Sequence, residues 1–145
     1  MKRIKEISLV TNCISSEPRM CYKDHLRVSR GWISYKRLNP TNDEIIIEWS
    51  IKTRDYNVIG FEALENFVNC EIELREAHPK ELIKNIIDIG DFCLKTFFTD
   101  GKYVDIKGFG DLYFNHLDTI ATTLFDLIPI GLECPDFIKP KLESN

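Results

Sequence analysis

Nowhere does this chain approach the run of about 18 consecutive apolar residues that a membrane-crossing helix needs. Its basic start, Met1-Lys2-Arg3-Ile4-Lys5-Glu6, lacks the apolar core of a signal peptide, because Ile7–Val10 gives way at once to Thr11-Asn12. These two absences argue against a membrane span and an export signal, and they point to a cytoplasmic protein. Cysteine is sparse and unpaired in pattern. Five residues, at positions 13, 21, 70, 93 and 134, form no CxxC and no regular framework, so free thiols in a reducing compartment are expected. Cys70 and Cys93 lie in apolar runs and are expected in the core. Alanine occurs three times against nineteen isoleucines, a skew that points to an AT-rich, bacterial genome rather than to any chemistry. There is no low-complexity tract, no repeat of solenoid period and no linker that would divide the chain.

What is present is the make-up of one ordinary folded domain: 145 residues, 43% hydrophobic and 29% charged. The net charge of −4 conceals an asymmetry. Residues 1–40 hold nine basic and three acidic side chains, and residues 41–145 hold ten basic and twenty acidic ones. A basic region and an acidic region are therefore expected on one surface.

The first half reads as strands. Residues 6–11 alternate weakly. Residues 25–29 set Leu26 and Val28 on one face and His25, Arg27 and Ser29 on the other, and Arg30-Gly31 turns the chain into a returning strand over 32–37. Residues 38–43 are a loop rich in Pro, Asn and Asp. Residues 44–52, with Ile45, Ile46, Ile47, Trp49 and Ile51, form the strongest strand signal, expected at the centre of the sheet and buried on both faces near its start.

The middle turns helical. Phe61, Leu64 and Val68 follow the helical period, with Glu62 and Glu65 facing solvent, while residues 70–75 fit strand or helix. Pro79 is placed to open a short helix through Ile87. Asp100-Gly101 joins two apolar runs, 91–98 and 103–107, into a hairpin. A last helix is expected from Asn115, as N-cap, to Ile128, followed by a proline-containing surface tail over 129–145. The pattern implies an α+β fold: a single domain with a mostly antiparallel sheet of five or six strands and two or three helices packed on one face.

No catalytic signature emerges. Cys13, Cys21 and His25 are chemically suitable zinc ligands, but their spacing matches no standard site and a fourth ligand is missing nearby. Neither a Gly-x-Ser-x-Gly elbow nor a cysteine-protease signature occurs. Gly108-Phe109-Gly110-Asp111 lacks the Gly-Lys-Ser/Thr ending of a phosphate loop, and its aspartate would repel phosphate. No cofactor and no metal are implied. If the chain were an enzyme, His25, Cys21 and neighbouring acids would be the first residues to test.

The function expected is non-catalytic binding of a macromolecule. The acidic remainder suits a protein partner, by acidic-surface mimicry or by neutralising a toxin. The alternative is single-stranded nucleic acid held on the basic hairpin 22–37, where cations meet phosphates and rings stack on bases. The candidate binding residues are Tyr22, His25, Arg27, Arg30, Trp32, Lys36 and Arg37. The same hairpin could instead be an edge guarded by charge, or could meet the acidic half in cis or across a homodimer.

Overall fold

The computed structural model describes residues 2–13, 21–53, 58–78 and 90–140. Six strands form one sheet: β1 (Ile4–Cys13), β2 (Tyr22–Ser29), β3 (Trp32–Leu38), β4 (Ile45–Lys52), β5 (Asp91–Phe98) and β6 (Tyr103–Phe109). Their order is β4-β3-β2-β1-β5-β6, and every neighbouring pair is antiparallel. Two helices accompany them, α1 (Val58–Ala77) and α2 (Asp118–Leu127), with one 3-10 turn at Asp136–Ile138. The α+β architecture expected from the pattern is the one observed.

The period of two decides the two faces. Ile7, Leu9, Leu26, Val28, Ile33, Tyr35, Leu94 and Ile106 point to one side and are buried. Onto them pack Phe61, Leu64, Val68 and Ile72 of α1 and Ile120, Ala121, Leu124 and Leu127 of α2, all within one core cluster. Residues 70–75 are helix, so the alternation there is a helix tail.

Several expectations are corrected. The isoleucine-rich strand β4 lies at the sheet edge, not its centre, and Ile45 and Ile46 are 52% and 56% exposed. A run of β-branched side chains favours extended backbone wherever it sits, and strand order is set by distant pairing that a local pattern does not carry. Glu65 does not face solvent. It is buried, accepts the Ile4 backbone N–H at 2.7 Å, and pairs with Arg30 at 3.0 Å. Cys70 is exposed on α1 and Cys93 only half-buried, whereas Cys134 is buried.

Helix α2 begins at Asp118 rather than Asn115, because His116 has a φ of 60° that interrupts helical backbone. Asn115 instead donates its side-chain amide to the carbonyls of Phe109 and Asp111, tying down the turn after β6. The segment after Pro129 is more than a surface tail: Cys134, Phe137 and Ile138 are buried, and the Tyr113 hydroxyl donates to the Ile138 carbonyl at 3.0 Å. The short helix expected over 79–87 lies outside the described residues.

Candidate functional site: the open face of the sheet

The helices cover one side of the sheet. Among the described residues nothing packs on the other, and its side chains alternate with the core along every strand. The hairpin β2–β3 supplies four of the seven candidates to this open face. His25 stands opposite Lys36, Arg27 opposite Ser34, and Ser29 opposite Trp32. The Arg27 guanidinium lies over the Trp32 ring, 5.2 Å from its centroid, and donates to Glu6 at 2.9 Å. Both partners hold Arg27 flat against the sheet, which turns a flexible cation into a shaped one.

His25 Nε2 is 2.7 Å from Ser8 Oγ on the adjacent strand. Burial pushes the His25 pKa below its usual value, and the cations of Lys36 and Arg27 push the same way against the weaker pull of Glu6. The ring is therefore neutral at pH 7. A Ser–His contact is also the start of a nucleophilic pair. Here two cations flank the histidine, and among the described residues its side-chain hydrogen bond is to Ser8 and no carboxylate accepts from the ring as a triad would require.

The second hairpin, β5–β6, extends the face across β1, and these residues were not singled out from the sequence. Lys95 sits over the Tyr103 ring at 4.8 Å and 3.9 Å from Asp105. Phe97 packs against Tyr103 with ring centroids 6.2 Å apart. Lys107 lies opposite Cys93, and Phe109 opposite Asp91, whose carboxylate accepts from the Asn12 amide at 2.7 Å. The period of two within 91–98 is the signal that places Lys95 and Phe97 on one face, and the reading of that segment as an apolar run passed over it. What it lacked was the pairing of β5 with β1, which makes that face continuous with His25 and Arg27.

Besides a hollow of about 260 Å³ beside Val10, Asp91 and Lys107, two others adjoin the candidate residues. The larger, about 520 Å³, is bounded by Glu6, Arg27, Ser29, Phe97 and Lys102. The smaller, about 310 Å³, is bounded by His25, Trp32, Ser34, Lys36 and Glu48. Both are partly enclosed and open to solvent on one side.

The remaining three candidates lie elsewhere. Tyr22 and Arg37 share the parity of Tyr35 and point to the helix side. There Arg37 makes a two-pronged contact with the fully buried Asp24, at 2.8 and 3.1 Å, and lies 4.0 Å over the Tyr22 ring. Tyr35 adds a third donor to Asp24 at 2.9 Å, and Tyr22 donates to Asp136. Burial pushes the Asp24 carboxyl up, against the lowering effect of Arg37 and Tyr35. The Arg37 guanidinium is held more firmly charged than usual: burial works against it, and the hydrogen bond and charge of Asp24 outweigh that. Arg30, at the β2–β3 turn, covers the Phe61 ring at 5.0 Å and binds Glu65. These cations brace the core.

Cys13 and His25 lie on opposite sides of the sheet, since Cys13 pairs with Tyr22 on the helix side, so they cannot share a metal ion. No group of three or more metal-ligating side chains occurs among the described residues. No helix among them is long and apolar enough to cross a membrane. No protein-family model matches the chain, and neither a curated protein nor a solved structure matches it.

Proposed function

We propose that this protein binds a partner protein, without catalysis, through the open face of its sheet. The supporting observation is the make-up of that face, where aromatic rings stand among charges of alternating sign. Trp32, Phe97, Tyr103 and Phe109 are interspersed with Arg27, Lys36, Lys95 and Lys107 and with Glu6, Glu48, Asp91 and Asp105. Tyr, Trp and Arg are the residue types that anchor protein interfaces, and interleaved acids and bases offer register and specificity to a partner of complementary pattern. A phosphate backbone would meet four carboxylates on the same surface, which weakens the nucleic-acid reading.

The test is capture from extracts of the source organism, with and without nuclease. The baits are the wild type, the double variant Trp32→Ala/Tyr103→Ala, and the α1 variant Glu73→Lys/Glu76→Lys as a distant control. One nuclease-resistant partner is expected at near-equal amounts on the wild type and the α1 variant, and reduced about tenfold or more on the double variant. Retention by the double variant with loss on the α1 variant would move the contact to the acidic helix and overturn this reading.

One cluster favours a second reading, single-stranded nucleic acid: the stacked Arg27–Trp32 pair beside His25 and Lys36. That reading requires fluorescence anisotropy to show oligonucleotide binding that falls steeply with salt and is lost on Arg27→Glu or Lys36→Glu. No binding at low salt removes it.

A further inference from the structure

We infer that the outer edge of β4 is a dimerisation edge, whose occupant is the β4 strand of a second copy of this chain, paired antiparallel about a two-fold axis at Ser50. The inference rests on backbone at the sheet edge, and it meets the proposed partner surface only at the rim, where Glu48 and Lys52 stand on the open side.

Among the described residues the edge is available. The Thr53 N–H donates inward to the Gly31 carbonyl at 3.0 Å. In an antiparallel ladder the inward-bonded residues alternate, so Ile51, Trp49 and Ile47 bond to β3, and the N–H and C=O groups of Glu48, Ser50 and Lys52 point outward. No backbone hydrogen bond among the described residues reaches them. Neither proline nor an inward-turned charge guards this stretch, and among the described residues no further strand continues its half-buried apolar row of Ile47, Trp49 and Ile51. The opposite edge turns Tyr103, Asp105 and Lys107 outward but is closed at one end. The outward carbonyl of Phe109 at the end of β6 is already taken by the Asn115 side chain at 2.7 Å, and the apolar Ile106 of β6 is already buried.

The strand is complementary to itself in one register. Outward residues must meet outward residues, which leaves a few two-fold arrangements. Centring on Glu48 or on Lys52 sets like charges face to face. Centring on Trp49 or Ile51 sets Lys52 against Ile46 or Ser50. Centring on Ser50 places Glu48 against the partner's Lys52, and Lys52 against the partner's Glu48, on the open side. On the helix side it places Trp49 against the partner's Ile51 twice, the aromatic–β-branched pairing that sheets favour. Both open faces then lie on the same side of one continuous sheet.

Sedimentation equilibrium on the full chain tests this, with circular dichroism to confirm folding. The wild type is expected to be a reversible dimer. Glu48→Lys and Lys52→Glu each set two like-charged pairs across the axis and should each raise the dissociation constant about tenfold or more, while the double variant Glu48→Lys/Lys52→Glu restores it. Ser50→Pro removes an outward N–H that makes no bond within the protomer, so it should yield a folded monomer. A monomeric wild type, a dimer indifferent to the single reversals, or a double variant that stays as weak as the singles would each overturn the inference.

Discussion

Asp24 and Arg37 show how two residues of one hairpin come to serve different ends from their neighbours. Asp24 has no contact with solvent, and its two oxygens are occupied by Arg37 and Tyr35. Removing one partner of such a pair leaves a buried charge without compensation, so Arg37→Leu should cost about 3–5 kcal/mol in urea denaturation. Arg27→Ala and Lys36→Ala, on the open face, should stay within about 1 kcal/mol. If all three cost the same, the division of the candidates between bracing and binding is wrong. The parity that places Arg37 inside was present in the sequence, since it shares a face with Ile33 and Tyr35, but a charged residue at a strand end reads as solvated until its partner is known. Glu65 is the same case: its two donors, Arg30 and the Ile4 amide, are 35 and 61 residues away. His25 gives a further prediction. Its folded pKa lies below the usual value of 6.5, mainly through burial, so the unfolded chain binds the proton more readily. The stability this group contributes is complete above its unfolded pKa and is lost as pH falls through the folded one. Denaturation measured from pH 7.5 downward should therefore show stability declining below about 6.5, and His25→Gln should flatten that part of the curve. A His25 ring proton that titrates by NMR at or above the usual histidine pKa would contradict the assigned environment.

At the scale of elements, the segment 129–140 behaves as a strap across the helix side of the sheet. The Trp49 indole N–H donates to the Glu133 carbonyl at 2.8 Å, Phe137 and Ile138 enter the core, and Lys139 joins Glu133 and Asp136 at 2.9 and 2.8 Å. Burial would raise the Asp136 carboxyl, but hydrogen bonds from Lys139 and Tyr22 outweigh it and hold the group below its usual range. For Glu133 the Lys139 hydrogen bond is the leading cause of the same direction. Both contributions are present above the unfolded carboxylate pKa and are lost as the pH falls through the folded values. Phe137→Ala should cost about 3–5 kcal/mol and shift Trp49 emission to the red, as the indole loses its cover. An unchanged emission spectrum would mean that the strap does not depend on its phenylalanine anchor. The sequence marks Pro129, Pro135 and Pro140 and so suggests an extended segment, whereas the chain turns at Pro129–Leu132 and winds into the 3-10 turn Asp136–Ile138. It does not show that Cys134, Phe137 and Ile138 find the core, because three apolar residues among prolines carry no period from which to assign a face.

For the molecule as a whole, composition and alternation sufficed for the α+β class, the two hairpins and the apolar stripe of the last helix, because each rests on short-range regularity. Strand order and the continuity of the open face were not legible, because they arise where β1 takes β2 on one side and β5 on the other, so that Asn12 meets Asp91 across 79 residues. The isoleucines of β4 are the clearest instance: their pattern specifies a strand, and only the assembled sheet makes that strand an edge. This arrangement also separates the two surfaces assigned above. Ser50→Pro, which breaks the edge without altering an open-face charge or ring, should still capture the partner protein, and Trp32→Ala/Tyr103→Ala, which loses the partner, should still sediment as a dimer.

The strap carries one more consequence, for a chain emerging from the ribosome. Trp49 is made 84 residues before Glu133, the residue whose carbonyl it binds. At about 5–20 residues per second, the underside of β3 and β4 waits on the order of 4–17 s for its cover. Through that interval Tyr35, Trp49 and the buried charge of Asp24 form a wet, unfinished surface beside an unpaired strand edge. The nascent protein is thus most exposed to mispairing, and most in need of a chaperone, at the side of the sheet that residues 129–140 will close.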